Sequence, residues 1–417
     1  MIKAAYHSLK QTALRIDLPY LMDGGFWLTA SQVVSMISLL ILSYIFANYV
    51  DPTDYGFYKY ILSLAILFGT FSLTGATQSI MQAASRNYAA FTRICFKKSL
   101  QYGLIVSGIA TIASLYYFIN QNIPIAIGCL LVALCKPLIN SGQLVFSHLI
   151  GLKQFKTLAK LQALRVTITS AVLIGTIFYT QDILFVVAAY FISEAVVSML
   201  LYFYATQKIP HTTDTHESDQ HKFLSYAKHT SVRNILTGLA HELDKILVFQ
   251  KFGAVELAVY AFAIAIPEQL KGFIKNVAIL VLVKFTGYNM DSIKKDFFKK
   301  VILLGLLLIL ATFVYIFSVP YVYTALFPSY FDSIFLSQLF ALSFPAMIAV
   351  LPVSALHSQM RERDLHSLSI VNAVLLVLSV YIGATYYGLI GLVIGRVLVR
   401  YIHCIMAFML MYSRQTK

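Results

Sequence analysis

The stretch ANYVDPTDYGFYKYILSL, Ala47 to Leu64, places two aspartates, a proline and a glycine between two long apolar runs. A weaker copy, FQKFGAVELAVYAFAIAI, occupies Phe249 to Ile266. An offset of 202 residues aligns three pairs of positions: Asp54 with Glu256, Gly56 with Ala258, and Tyr58 with Tyr260. Each copy follows the first apolar segment of its half of the chain. The sequence therefore predicts two similar halves, each with this turn between its first two helices.

The first copy has the chemistry of a turn that starts a helix. Pro52 fixes the backbone, and Asp51 is a residue type preferred at helix N-caps. The tyrosines at positions 55, 58 and 60 are typical of the aromatic belt at a membrane interface. We therefore expect a structural turn at the outer membrane surface, with its tyrosines at the lipid boundary.

Composition identifies an integral membrane protein. Of the 417 residues, 59% are hydrophobic and 12% are charged, whereas charged residues make up about 25% of a soluble domain. The net charge of +14 does not indicate nucleic-acid binding, because its distribution follows membrane topology. The cysteines have no CxxC spacing and lie in or beside apolar runs, which predicts core packing: Cys95, Cys129, Cys135 and Cys404.

A membrane-spanning helix needs about 20 mostly apolar residues, and twelve segments meet this requirement. We expect an all-α membrane protein with about twelve transmembrane helices. The predicted spans are 25–47, 60–81, 99–119, 123–147, 158–180, 183–206, 229–250, 257–283, 300–319, 333–356, 367–387 and 389–412.

Lysine and arginine distribute unequally across the predicted membrane. The tails and the connections after even-numbered spans hold 21 of them, and the connections after odd-numbered spans hold two, Lys59 and Lys251. Since basic residues favour the cytoplasmic side, this predicts a multi-pass protein with cytoplasmic termini.

The long polar connection QKIPHTTDTHESDQHK begins at Gln207 and divides the chain into six spans on each side. We predict an N-terminal lobe of six helices over 1–206, a cytoplasmic linker over 207–224 and a C-terminal lobe over 225–417. The segments beginning at Gly151 and Arg361 also resemble each other, at an offset of 210. Because each lobe has an even number of spans, the repeat is parallel.

Charged residues inside the spans are costly, at about 2.5–3.5 kcal/mol each at the membrane centre, and usually face a polar path or pair with one another. Seven basic residues lie deep in the spans, against four acids: Glu194, Glu242, Asp244 and Glu268. Helical spacing puts Glu268, Lys271 and Lys275 on one face of span 8, and Arg396 with Arg400 on one face of span 12.

This excess of basic residues predicts a cationic cavity that binds an anionic substrate, with six residues in its lining: Lys136, Arg165, Lys271, Lys275, Arg396 and Arg400. The structural alternative is that these residues pair with the acids and join neighbouring helices. Coupling to a proton or sodium gradient would use buried acids, for which the candidates are Glu194, Asp244 and Glu268.

No nucleotide-binding loop, nucleophile elbow or HExxH motif occurs in the sequence. The linker histidines, at five-residue spacing, are not a pattern of metal ligands: His211, His216 and His221. We therefore expect no metal, no cofactor and no enzymatic activity.

With its two lobes of six spans and the motifs YVDPTDYGFYKY and KFGAVELAVYAFA, the chain resembles the polysaccharide flippases of O-antigen and capsule assembly. These belong to the multidrug/oligosaccharidyl-lipid/polysaccharide exporter superfamily. The resemblance implies alternating access, a cationic central cavity and a location in the bacterial inner membrane. It also implies a substrate partner, an oligosaccharide joined by pyrophosphate to a polyprenyl lipid, and possible contacts with other polysaccharide-assembly proteins.

Two other functions compete with the flippase. A drug or metabolite antiporter of the same superfamily would depend on intramembrane acids, which the basic residues outnumber. A membrane-embedded polysaccharide polymerase or ligase would need a large outer loop, whereas the longest outer connection, near PYVYTALFPSYFDS, is short.

Overall fold

The computed structural model describes residues 18–86, 88, 90–207, 217–285, 290–359 and 361–413, apart from the side chains of 18–23, 217–219, 233, 271, 275–285, 290–300, 358 and 362. All regular structure within these residues is helical. The expectation of an all-α membrane protein is therefore confirmed.

The N-terminal lobe contains spans 1 to 6. Two of its spans, the second and the fourth, are each built from two helices. In chain order the helices are Leu18–Tyr49, Pro52–Gly69 with Ala76–Ser85, Phe91–Ile119, Ile123–Gly142 with Leu144–Gly151, Phe155–Tyr179, and Ile183–Thr206.

The C-terminal lobe contains spans 7 to 12. Span 10 includes a 3₁₀ turn at Pro345–Ala349, and spans 11 and 12 follow each other across Gly388. The helices are Glu217–Phe252, Ala254–Phe285, Met290–Leu326, Ser333–Ala341 with Val350–Ser358, and Glu362–Tyr412.

Nine helical segments of the described chain are long and apolar enough to cross a membrane. The segment Arg363–Tyr412 is 50 residues long, which is enough for two spans. Span 2 is not among the nine because it is broken, and span 7 because it is too polar over its length. Adding span 2, span 7 and the second span of Arg363–Tyr412 to these nine segments gives the twelve spans that the sequence predicts.

Two of the tight connections require glycine. Gly253 joins spans 7 and 8 with φ of 95°, and Gly388 joins spans 11 and 12 with φ of 64°. Residues with a Cβ atom rarely adopt this left-handed backbone conformation, whereas glycine adopts it readily. At the start of span 2, Asp51 caps the helix by accepting a hydrogen bond from the backbone N–H of Thr53 at 2.8 Å, as the sequence predicts.

Span 7 begins earlier than the sequence predicts. Its helix starts at Glu217, so the end of the predicted linker over 207–224 is the first part of this helix. Residues 208–216 lie outside the described part of the chain. The polar sequence ESDQHK is compatible with a helix that extends beyond an apolar membrane core.

The same helix contacts occur in both lobes. Span 4 packs against spans 2, 3 and 6, and span 10 packs correspondingly against spans 8, 9 and 12. The lobes meet where span 2 packs against spans 7 and 8, and where span 1 packs against span 8. This arrangement fits the parallel repeat.

The tyrosines of the first turn do not form an aromatic belt, so this expectation is wrong. Tyr55 and Tyr60 are buried between the lobes, where Tyr60 stacks on Phe249 with ring centroids 3.8 Å apart and Tyr55 packs on Phe262 at 4.8 Å. The two copies of the repeated turn therefore pack against each other, and the aromatic rings fill the interface instead of facing lipid.

Three spans are interrupted. Span 2 is non-α over 70–75, span 4 at Gln143, and span 10 over 342–349. Gln143 and Pro345 are separated by the same offset of 202 residues as the repeated turns. An interrupted helix leaves backbone N–H and C=O groups without their usual hydrogen-bond partners in the helix. Such breaks are therefore tolerated in membranes only where protein or a polar cavity surrounds them.

The four cysteines are buried and unpaired, as expected for core packing.

Candidate functional site

The N-terminal charge cluster joins spans 4, 5 and 6. Arg165 forms an ion pair with Glu194. Gln143 donates to the same carboxylate oxygen at 3.0 Å, and the Thr169 hydroxyl donates to the other oxygen at 3.0 Å. Both oxygens of this buried carboxylate therefore have partners, and the break in span 4 lies where Gln143 reaches it.

Lys136 lies apart from this ion pair, at the interruption of span 2. Its ammonium nitrogen is 3.6 Å from the position that a Cβ on Gly69 would occupy. One helical turn further along span 4, Asn140 donates to the Ser72 hydroxyl at 3.0 Å. Among the residues that the structure describes, Lys136 makes no ion pair, although it lies within electrostatic range of Glu194.

The C-terminal charge cluster joins spans 7, 8 and 12. Arg396 pairs with Asp244 and donates to the Tyr260 hydroxyl at 2.6 Å. Tyr260 in turn donates to the same oxygen of Asp244. Arg400, one turn along span 12, pairs with Glu268, which also lies 3.4 Å from Arg396.

The break in span 10 supplies further contacts to the two arginines. Ser343, within the non-α segment, accepts a hydrogen bond from Arg400 at 2.8 Å. The Phe340 ring lies 4.4 Å from the Arg400 guanidinium carbon and 5.1 Å from that of Arg396. A guanidinium over an aromatic ring gains a cation–π attraction, which helps to fix the direction of both arginines.

A cavity of about 590 Å³ opens beside this cluster. This volume is within the range of about 300–1,000 Å³ for small-molecule sites. Apolar side chains, among them Met347 and Leu376, line part of its wall. Its polar lining consists of His241, Glu268, Asn372, Arg396, Arg400 and His403.

The remaining acid within the spans, Glu242, pairs with Lys245 one turn away at 2.8 Å. Each of the four intramembrane carboxylates therefore has a basic partner. Lys271 and Lys275 follow Glu268 along span 8, but their side chains lie outside the described part of the structure. No group of three or more potential metal ligands occurs among the described residues.

The structure thus brings Arg396 and Arg400 together with the acids Asp244 and Glu268, and it places Arg165 with Glu194 in the other lobe. Two residues of the cluster were not predicted from the sequence: Phe340, near the end of the first helix of span 10, and Ser343, in the non-α segment that follows it. Tyr260 was not predicted either, although the repeated turn aligns this residue with Tyr58.

The fold is shared with known transporters. An inward-facing multidrug resistance MATE family transporter of the MOP superfamily matches with a TM-score of 0.68 at 15% identity, covering 93% of this chain and 97% of that one. A MATE transporter in complex with MaD5 matches with a TM-score of 0.67 at 13% identity, covering 94% of both chains.

A third structure is a MOP superfamily transporter from Pyrococcus furiosus, described as having a binding pocket of reverse polarity that suggests a different function. Its TM-score is 0.63 at 14% identity, and the match covers 93% of this chain and 94% of that one. At these identities the likeness shows the fold alone.

No curated protein sequence matches the chain. The family described as polysaccharide biosynthesis protein matches residues 21–283, which is more than half of the 417 residues. The chain therefore belongs to the polysaccharide biosynthesis protein family, and it is a multi-pass membrane protein.

Proposed function

We propose that this protein is a transporter of the MOP superfamily and, within it, a flippase. Its substrate is an oligosaccharide joined through pyrophosphate to a polyprenyl lipid, which it moves from the cytoplasmic to the outer leaflet of the bacterial inner membrane for surface polysaccharide assembly. The family match supports the pathway, and the two-lobe fold supports alternating access.

The pairing of the intramembrane acids is the observation that carries the proposal. A transporter of organic cations needs a carboxylate that its substrate can reach. Here Glu194 and Asp244 are buried against Arg165 and Arg396. Glu268 lines the cavity, but it pairs with Arg400. A cation would have to take the place of these basic partners, and removing one partner of a buried pair costs about 3–5 kcal/mol. An anionic substrate, in contrast, could bind the arginines that line the cavity.

The substrate has three parts with different requirements. The polyprenyl chain is apolar and can stay in lipid, while the sugar and the pyrophosphate need a polar path. We assign the pyrophosphate to the cavity beside Arg396 and Arg400, because guanidinium groups bind phosphate oxygens with well-defined geometry. Lys136, which lies beside the interruption of span 2 and within electrostatic range of Glu242 in the other lobe, would offset the negative charge as the lobes rearrange.

Transport would move the lobes 1–206 and 225–417 relative to each other. The predicted cytoplasmic linker over 207–224, whose end from Glu217 onward is the first part of the span 7 helix, would keep them connected, with both termini on the cytoplasmic side. Several moderate basic contacts suit this task better than one tight site, because the substrate must also leave. If an ion gradient drives the cycle, Glu268 is the best placed of the three candidate acids, since it lines the cavity.

The test is transport by the purified chain in proteoliposomes that carry a fluorescent lipid-linked oligosaccharide in the inner leaflet. We expect movement to the outer leaflet, a strong reduction by Arg400→Gln, and no reduction by the matched variant Lys97→Gln, since Lys97 is exposed on span 3. Export of cationic dyes without movement of the lipid would instead identify a drug antiporter.

A further inference from the structure

The two arginines of span 12 differ in what they can offer a ligand. Only 9% of the Arg396 side chain is exposed, and Asp244 and Tyr260 hold it. The Arg400 side chain is 19% exposed and its partner Glu268 is 29% exposed. Both Arg400 and Glu268 line the cavity. A ligand in the cavity can therefore compete for Arg400 much more readily than it can for Arg396.

Arg400 has contacts that do not depend on Glu268. Its Nη1 donates to Ser343 at 2.8 Å, and its guanidinium lies 4.4 Å from the Phe340 ring. Its Nη2 donates to Glu268. If Glu268 leaves, Ser343 and Phe340 still orient the guanidinium, and Nη2 becomes available for another anion.

Glu268 also has a second basic neighbour. The oxygen that accepts from Arg400 lies 3.4 Å from Nη2 of Arg396. When another anion binds Arg400, the carboxylate can shorten its contact with Arg396 and stay in an ion pair. This lowers the cost of the exchange, because an uncompensated carboxylate in a membrane protein interior is strongly unfavourable.

We infer that Glu268 is an internal competitor for an anion site on Arg400, that this site takes a phosphate or pyrophosphate group, and that Arg396 is a positioning residue that receives the displaced carboxylate. The identity of the natural ligand rests on the proposed function, whereas the exchange rests on the contacts of the two arginines. The return of Glu268 to Arg400 assists release of the anion, which keeps its binding reversible.

The experiment measures binding of inorganic pyrophosphate to the purified full-length chain in lipid nanodiscs by calorimetry. Glu268→Gln removes the competing charge and keeps the shape, so we expect binding to tighten about tenfold, which corresponds to about 1.4 kcal/mol. Glu268→Asp withdraws the carboxylate by one methylene, and it should tighten binding by a smaller factor. Arg400→Gln should abolish binding. The control Glu256→Gln, at the far end of the same span, should not change it.

Equal affinity of Glu268→Gln and the unchanged chain would overturn the competitor role. Binding that survives Arg400→Gln, or the absence of pyrophosphate binding in every variant including Glu268→Gln, would overturn the site. A thermal unfolding midpoint close to that of the unchanged chain shows that a variant is folded. If Glu268→Gln does not fold, the affinity of Glu268→Asp for pyrophosphate tests the competitor role instead.

The proposed function and the anion site are tested by different outcomes. If pyrophosphate binds with the expected dependence on Arg400 and Glu268 but proteoliposomes do not move a lipid-linked oligosaccharide, the anion site stands and the flippase assignment falls.

Discussion

Gly56 of span 2 approaches Ala254 of span 8 so closely that a Cβ on Gly56 would overlap the carbonyl group of Ala254. The rings of Tyr60 and Phe249 stack beside this contact. The two turns of the sequence repeat therefore form one end of the interface between the lobes, and the glycine allows the backbones to meet.

Gly56→Leu should prevent this contact and reduce transport severely. The control is Gly175→Leu, because Gly175 of span 5 has open space where a side chain would begin. The measurement is surface polysaccharide in cells, normalised to the amount of each variant in the membrane. Equal transport by both variants would show that the lobes do not need this approach.

Arg165 and Glu194 should contribute to stability more than to substrate binding. Arg165→Gln leaves a buried carboxylate without its charged partner, which costs about 3–5 kcal/mol. We expect a clear fall in the thermal unfolding midpoint of the protein in detergent. The double variant Arg165→Gln/Glu194→Gln should recover part of the loss, because it removes both charges.

If the double variant is as unstable as Arg165→Gln alone, the pair is not the source of the effect. If Arg165→Gln keeps full stability and instead loses pyrophosphate binding, Arg165 belongs to the substrate site, as the sequence analysis predicts.

The number and position of the spans could be predicted because they depend on the length of apolar runs, which is a local property. The membrane imposes this length on each span separately. A helix covers the predicted span 7 even with the polar stretch AHELDK in it. Its start at Glu217 was not predicted, since a helix can continue into water without any apolar signal.

The ion-pair partners of the charged residues inside the spans could not be predicted in the same way. Arg396 and Asp244 are 152 residues apart, and their pairing depends on how spans 7 and 12 pack. The burial of Tyr55 is also a tertiary property: the same residue suits a lipid boundary or an aromatic interface, and its contact with Phe262 decides between them.

Topology can be tested with fusions to alkaline phosphatase, which is active only outside the cytoplasm. From the bias of 21 basic residues to two, we expect a fusion after Lys417 to be inactive and a fusion after Asp54 to be active. The reverse result would invert the orientation and the proposed direction of transport.

Asp244 is one of the three acids that the sequence makes candidates for ion coupling. In the structure the Asp244 side chain is 3% exposed, and one of its carboxylate oxygens accepts hydrogen bonds from Arg396 and Tyr260. Asp244→Asn removes the closer counter-ion of the buried Arg396 guanidinium and leaves Glu268 at 3.4 Å, so we expect a loss of stability. Asp244→Asn/Arg396→Gln removes both charges and should be more stable than either single variant, because no lone charge remains buried.

Transport by this double variant separates the two roles of Asp244. If the Asp244–Arg396 pair only positions the site, the double variant should retain some lipid movement in proteoliposomes, with the same dependence on a proton gradient as the unchanged chain. If Asp244 carries the coupling proton, the variant should be stable but should lose the gradient dependence. Arg396→Lys, which keeps the charge but not the planar geometry that contacts Asp244 and Tyr260 together, should be tolerated only in part.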